Sequence, residues 1–157
     1  MGVNQVMRDD TLLDFVADRG SRAKYVTSVC TGALILGAAG LLKGYNAATH
    51  WTAMDILPVF GATPEQKRVV EDRNRITGGG VTAGIDFGLV IASRIRGEDF
   101  GKFSQLAMEY DPQPPFHSGS PRTASPALVA HLEEMGQQVH ADSRAAGLDA
   151  MKRRRIG

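Results

Sequence analysis

The sequence predicts an α/β fold with a mainly parallel sheet. Three observations predict it. A β-branched run, Tyr25 to Val29, reads as a buried strand and is followed at once by a helical stretch, Ala33 to Ala39. Along the rest of the chain, strand-like and helix-like segments alternate rather than cluster by type. No internal repeat is visible, which sets solenoids and propellers aside.

Taken in order, residues 1 to 10 are polar and unpatterned. Thr11 then opens a helix: Thr11-x-x-Asp14 fits a capping box, Leu12, Phe15 and Val16 share a face, and Gly20 ends it. A strand over 24–29 comes next, then the turn at Cys30 and a helix closing at Gly40. Residues 46 to 50 read as a short strand ending at His50. A second capping box, Thr52-x-x-Asp55, starts a helix through Val59, and Gly61 and Pro64 mark a loop. Arg68 to Glu71 and Arg75 to Thr77 flank the turn Asp72-Arg73-Asn74 as a hairpin.

After Gly78-Gly79-Gly80, a helix capped by Thr82 presents Ile85, Gly88, Leu89, Ala92 and Ile95 on one face, and Gly97 stops it. A further helix over 98–110 is expected to bury Phe100, Phe103, Leu106 and Ala107. Asp111 to Pro121 holds four of the seven prolines and cannot be regular structure. Ser125-Pro126 is an N-cap and first-turn pair, opening a last helix expected to bury Leu128, Leu132, Met135 and Val139. Residues 142–157 read as a flexible or helical tail, with Lys152 to Arg155 as a solvated basic end.

Composition narrows the function. At 157 residues the chain is one domain's worth, and 43% apolar residues allow a real core. A net charge of +1 gives no bias towards nucleic acid or an anionic membrane. One cysteine cannot form an internal disulfide. The first ten residues have no apolar core of a signal peptide, and Val6 breaks the myristoylation pattern. No apolar run is long enough to span a bilayer; Leu34 to Leu42 is the best, and glycines interrupt it. The expectation is a soluble, cytoplasmic protein.

Chemistry concentrates at Cys30. It stands between a strand and a helix, where Thr31 and Gly32 permit a tight turn that projects the side chain. The first N–H groups of the next helix aim back at that turn, which favours the thiolate, the nucleophilic form. A lone cysteine is otherwise a small buried hydrophobe. His50 is the best local base candidate, because strand ends at one edge of a parallel sheet converge. With Trp51 beside it, it is equally a packed, hydrogen-bonded histidine. Asp55 is explained by its capping box, and Asp86 suits the first turns of its helix, so both read as structural. Tyr110 could reach a pocket or simply pack.

Gly78-Gly79-Gly80-Val81-Thr82-Ala83 formally fits a dinucleotide fingerprint, but two helices and a proline loop come after it where another strand should. The better reading is a close backbone approach, which glycine permits. The four histidines lack metal-ligand spacing. Neither a metal nor an organic cofactor is expected.

Ser28-Val29-Cys30-Thr31-Gly32-Ala33, Ala38 to Gly44, Ala47-Ala48-Thr49-His50-Trp51, Ile76 to Phe87, Glu109 to Phe116 and Gly119-Ser120-Pro121 together resemble the ThiJ/PfpI superfamily. This is a class I glutamine amidotransferase-like family, and within it the resemblance is to the isonitrile (isocyanide) hydratase group. The resemblance implies a flavodoxin-like three-layer sandwich in a single domain over 1–157. It implies Cys30 as nucleophile with Thr31 beside it, and Gly79 and Val81 lining the pocket opposite. His50 and Tyr110 are further pocket candidates. The chemistry implied is attack of the Cys30 thiolate on an isocyanide carbon, a thioimidate, and release of an N-substituted formamide. Homodimers are expected.

Two departures accompany this. Family members begin with several strands before a Pro-Gly-Gly turn, and Gly2 to Met7 matches the segment just after that turn. The expectation is therefore an N-terminally truncated chain: a fragment, a misplaced start, or a shortened homologue. The family's general acid/base and part of its oxyanion site would lie in that missing part. Thr31 stands where the protease branch carries histidine, which counts against peptidase activity. The alternative is a non-catalytic homologue acting as a regulatory or redox-sensing domain.

Overall fold

The structure, a computed structural model, describes residues 2–156. Its central sheet holds β1 (Val26–Val29), β4 (Val69–Asp72) and β5 (Arg75–Gly78) in the order β1-β5-β4, with β1 parallel to β5 and β4 antiparallel to it. A smaller parallel pair joins β2 (Asn46–Ala47) to β3 (Thr63–Pro64). Parallel neighbours share a face, so Val26 and Ser28 point with Arg75 and Thr77 to one side, and Thr27 and Val29 with Ile76 and Gly78 to the other. On the first side stands α3 (Gly32–Ala38), where a Cβ on Gly32 would lie 3.7 Å from Ser28. On the second stands α4 (Ala83–Arg96), with Phe87 near Gly78 and Gly84 near Val29. Helices on both faces of the sheet make the three-layer, flavodoxin-like α/β arrangement.

The main core lies on the α3 side. Leu34, Leu42, Ile56, Leu57 and Phe60 are fully buried there, joined by Met7 and Leu13 from α1 (Gly2–Met7) and α2 (Asp10–Arg22). Ala146 and Ala150 close it from α6 (Pro126–Arg154). Among the described residues no helix is long and apolar enough to cross a membrane.

Several elements differ from the sequence reading. The first residues form α1, a helix too short to display a period. Tertiary bonds hold it: the Asn4 amide donates to Asp142 at 2.6 Å and its carbonyl accepts from the Ser143 hydroxyl at 2.8 Å. The cap of α2 is Asp9, accepting from the Leu12 N–H at 3.1 Å, rather than Thr11. Gly20 does not end α2; there the helix passes against Leu41, and it continues to Arg22.

The strand expected over 46–50 stops at Ala47, and Thr63–Pro64, read as loop, is its partner. The segment Trp51–Phe60 is a run of 3-10 turns capped by His50, not by Thr52. Asp55 turns outward to accept from His140 Nε2 at 2.8 Å.

The expected apolar faces of the later helices are also displaced. Helix α5 (Glu98–Ala107) packs on α4 through Gly101, leaving Phe103 67% and Leu106 81% exposed. In α4, Ile85 and Ile95 of the expected face are exposed, and Ala83 is buried instead. In α6 the expected stripe Leu128, Leu132, Met135 and Val139 faces solvent; the buried stripe is Ser143, Ala146, Gly147 and Ala150. The 142–157 tail is therefore helical to Arg154. Its basic end is not simply solvated: Arg153 pairs with Asp10 and Asp149, and Arg154 with Asp14.

Candidate active site

Cys30 occupies the single-residue step between β1 and the N-cap of α3, and its φ is 56°. A non-glycine residue in this left-handed region carries strain of about 1–3 kcal/mol and persists only where the surroundings over-determine it. Here they do. The Cys30 N–H donates to the carbonyls of Gly78 at 3.1 Å and Gly79 at 2.7 Å, and its own carbonyl accepts from the Thr49 hydroxyl at 2.9 Å. Thr49 and Gly79 are both buried. Thr31 is the N-cap residue of α3, but its hydroxyl makes no capping bond.

Gly79 lies against three backbone carbonyls. A Cβ there would lie 3.4 Å from the Lys67 carbonyl and 3.8 Å from that of Thr49. Three backbone segments meet at Gly79, but a Cβ would find ordinary contact distances there, so the close approach expected of the glycine run does not itself require glycine.

A cleft of about 410 Å³ is lined by Thr49 and Gly79, which bond the Cys30 backbone, whereas Cys30 and Thr31 themselves are not among its lining residues. Thr49, Gly79, Gly80, His50, Trp51 and Met54 line it, together with Val81, which is 77% exposed. His50 Nδ1 is engaged as an acceptor, 2.8 Å from the Thr52 hydroxyl and 3.4 Å from the Thr52 N–H. The neutral ring therefore carries its proton on Nε2. Burial holds its pKa below the ordinary histidine value.

Tyr110 is not brought to this cleft. Its hydroxyl donates to Asp86 Oδ1 at 2.9 Å, and Asp86 in turn pairs with Arg68. Arg68 also donates to the Thr82 carbonyl at 3.0 Å, so this group clamps the start of α4. Arg68, Lys67 and Arg122 line the cleft and were not singled out from the sequence. No short motif joins them; only the fold brings positions 67, 68 and 122 together. Among the described residues, no group of three histidine, cysteine, aspartate or glutamate side chains could hold a metal ion.

A strand–cysteine–helix turn on a three-layer α/β sheet defines the class, and residues 1–94 match the model of the DJ-1/PfpI family. The chain belongs to that family. It is 55% identical over 128 residues to an isonitrile hydratase of Pseudomonas putida, a match covering 82% of this chain and 56% of that protein. The crystal structure of a ThiJ/PfpI family protein from Pseudomonas syringae superposes with a TM-score of 0.90 at 50% identity, covering 93% of this chain and 60% of that one. The chain thus spans little more than half the length of these two relatives. The transcriptional regulator GbdR of Pseudomonas aeruginosa is 32% identical over 87 residues, covering 54% of this chain and 24% of the regulator.

Proposed function

We propose that this chain hydrates an isocyanide to an N-substituted formamide through covalent attachment to Cys30. The observation that carries the reading is the strained Cys30 backbone, held by Gly79 at its N–H and by Thr49 at its carbonyl, both of which line the cleft. Identity of 55% to an isonitrile hydratase supports the choice of substrate.

In this reading the Cys30 thiol adds to the terminal isocyanide carbon: sulfur forms the C–S bond and the carbon takes a proton, giving a thioimidate. Water attacks that carbon and one of its protons passes to nitrogen. The C–S bond then breaks, the sulfur regains a proton, and R–NH–CHO leaves. Thr31 lies next to the nucleophile. Gly79 and Val81 border the substrate, and His50 moves protons through Nε2. Tyr110 acts indirectly, by holding Asp86 and Arg68 at the cleft edge. A homodimer belongs to this proposal; the solvent-facing Leu128, Leu132 and Met135 of α6 offer apolar surface for one.

The test is hydration of cyclohexyl isocyanide by the protein and its Cys30→Ala variant, tracking loss of isocyanide and appearance of formamide. Turnover that disappears with the thiol is the expected result. A folded protein without turnover would leave the second reading, a regulatory or redox-sensing domain, which the similarity to GbdR over 87 residues favours.

A further inference from the structure

The cleft that Thr49 and Gly79 join to the Cys30 turn has a lining unequal in charge. It carries Lys67, Arg68 and Arg122 and no aspartate or glutamate. Two of these cations have carboxylate partners set outside the lining: Lys67 pairs with Glu65 at 2.6 Å, and Arg68 with Asp86. Arg122 makes no ion pair among the described residues. Its guanidinium donates to the Gln66 carbonyl at 3.5 Å, a contact that leaves most of its five N–H donors for a ligand. His50, held neutral by burial, adds no charge. The remaining lining combines apolar or small residues, Trp51, Met54, Val81, Ala83, Pro121 and the glycines, with the uncharged polar Thr49, Gln66, Thr82 and Ser120. Such a cleft accepts an apolar body and an anionic end, because planar guanidinium groups match carboxylate geometry in pairs of hydrogen bonds.

We infer that the substrate of this site is an isocyanide bearing a carboxylate or a comparable anionic group, with Arg122 as its principal binding residue and Lys67 assisting. The inference rests on the hydratase reading for the reacting end, and on the cationic lining alone for the other end. Arg122 sits on the loop after Pro121 and bonds across to Gln66, so it spans the cleft next to the Lys67–Gly79 contact. Its side chain is exposed and its removal leaves the core untouched.

The experiment compares cyclohexyl isocyanide with 4-isocyanocyclohexanecarboxylate, which share a ring and differ by the anion. At low ionic strength the carboxylate is expected to have the higher kcat/KM by about tenfold, falling as salt is added. The ratio of the two kcat/KM values is expected to fall about tenfold in Arg122→Gln and to invert in Arg122→Glu. A ratio of one or below in the unaltered protein, or a ratio indifferent to Arg122, overturns the inference while leaving the hydratase reading intact. Binding of cyclohexanecarboxylate to Cys30→Ala, monitored by NMR, is independent of turnover. Arg122-dependent binding without turnover of either isocyanide supports the anion site and removes the hydratase reading. Neither binding nor turnover overturns both.

Discussion

The Thr49 hydroxyl donates to the carbonyl oxygen of Cys30 at 2.9 Å, so a fully buried side chain fixes the peptide on the C-terminal side of the strained residue. Thr49 comes two residues after β2 and Cys30 one residue after β1, so this bond ties together segments from the two sheets. Replacing Thr49 by valine keeps the shape and removes the donor. The expected cost is about 1 kcal/mol, because the carbonyl loses the nearer of two donors and keeps the Ala33 N–H at 3.3 Å. Thr49→Ser keeps the donor and should lose less. A role confined to stability would leave Cys30 chemistry alone. Positioning predicts a further effect: in Thr49→Val, still folded by circular dichroism, iodoacetamide should modify Cys30 at an altered rate and with an altered pH profile, and Thr49→Ser should restore both.

Cys30 itself makes a sharper case. At φ 56° glycine is the residue of least strain, so Cys30→Gly should be more stable than Cys30→Ala by about 1 kcal/mol. In an unstrained helix or strand the order is the reverse. Urea titration of the two variants decides it, and equal midpoints would show that the turn relaxes when the thiol is removed. Stability gained at this position while activity is lost is the pattern expected where strain is kept for function.

This part of the molecule was legible in the sequence because local and tertiary preferences agree there. Val26, Thr27 and Val29 are β-branched and form the strand, although only Val26 is buried and Thr27 is exposed, and small residues come next where the backbone must turn. The hairpin at Arg73-Asn74 and the start of α4 after Thr82 were legible for the same reason. Where several cap candidates crowd together, tertiary context chose among them. His50 displaced Thr52 as the cap, since its ring is already held beside Trp51 and Gly80. The buried face of α6 was illegible because it is made of Ser143, Ala146, Gly147 and Ala150. Small residues carry little hydropathy, yet they let a helix approach closely. The cationic lining of the cleft was hidden because positions 67, 68 and 122 meet only in the folded chain.

That close approach is measurable at Phe60. Its fully buried ring lies between α3 and α6, and both helices present glycine to it. A Cβ on Gly147 would stand 2.8 Å from Phe60 Cζ, and one on Gly37 would stand 2.5 Å from Cγ. In an open helix, Gly→Ala stabilises by roughly 0.5–1 kcal/mol. Here overpacking should win, and each substitution should cost about 1–3 kcal/mol. Adding Phe60→Leu to Gly147→Ala should recover part of that loss. A stabilising Gly147→Ala, read from thermal melting, would mean that the helices can separate without penalty.

The pH dependence of stability separates two groups of residues. Burial lowers the pKa of His50, so the unfolded chain takes up its proton more readily than the folded one. The stability this involves is complete above the unfolded value, about 6.5, and falls as pH drops below it. A second window lies lower. The pKa of Asp142 is depressed by its hydrogen bond from Arg8 and then by that from Asn4. That of Asp72 is depressed by Arg73 and then by the Asn46 N–H. Those contributions are present above about pH 4 and disappear as these carboxylates take up protons. Urea midpoints measured from pH 8 to pH 3 should therefore decline in two stages. His50→Gln should flatten the first stage and keep the second, whereas Asp142→Asn should reduce the second and keep the first. Parallel curves for the parent and His50→Gln would place the first stage on another group and remove His50 as a half-buried neutral base.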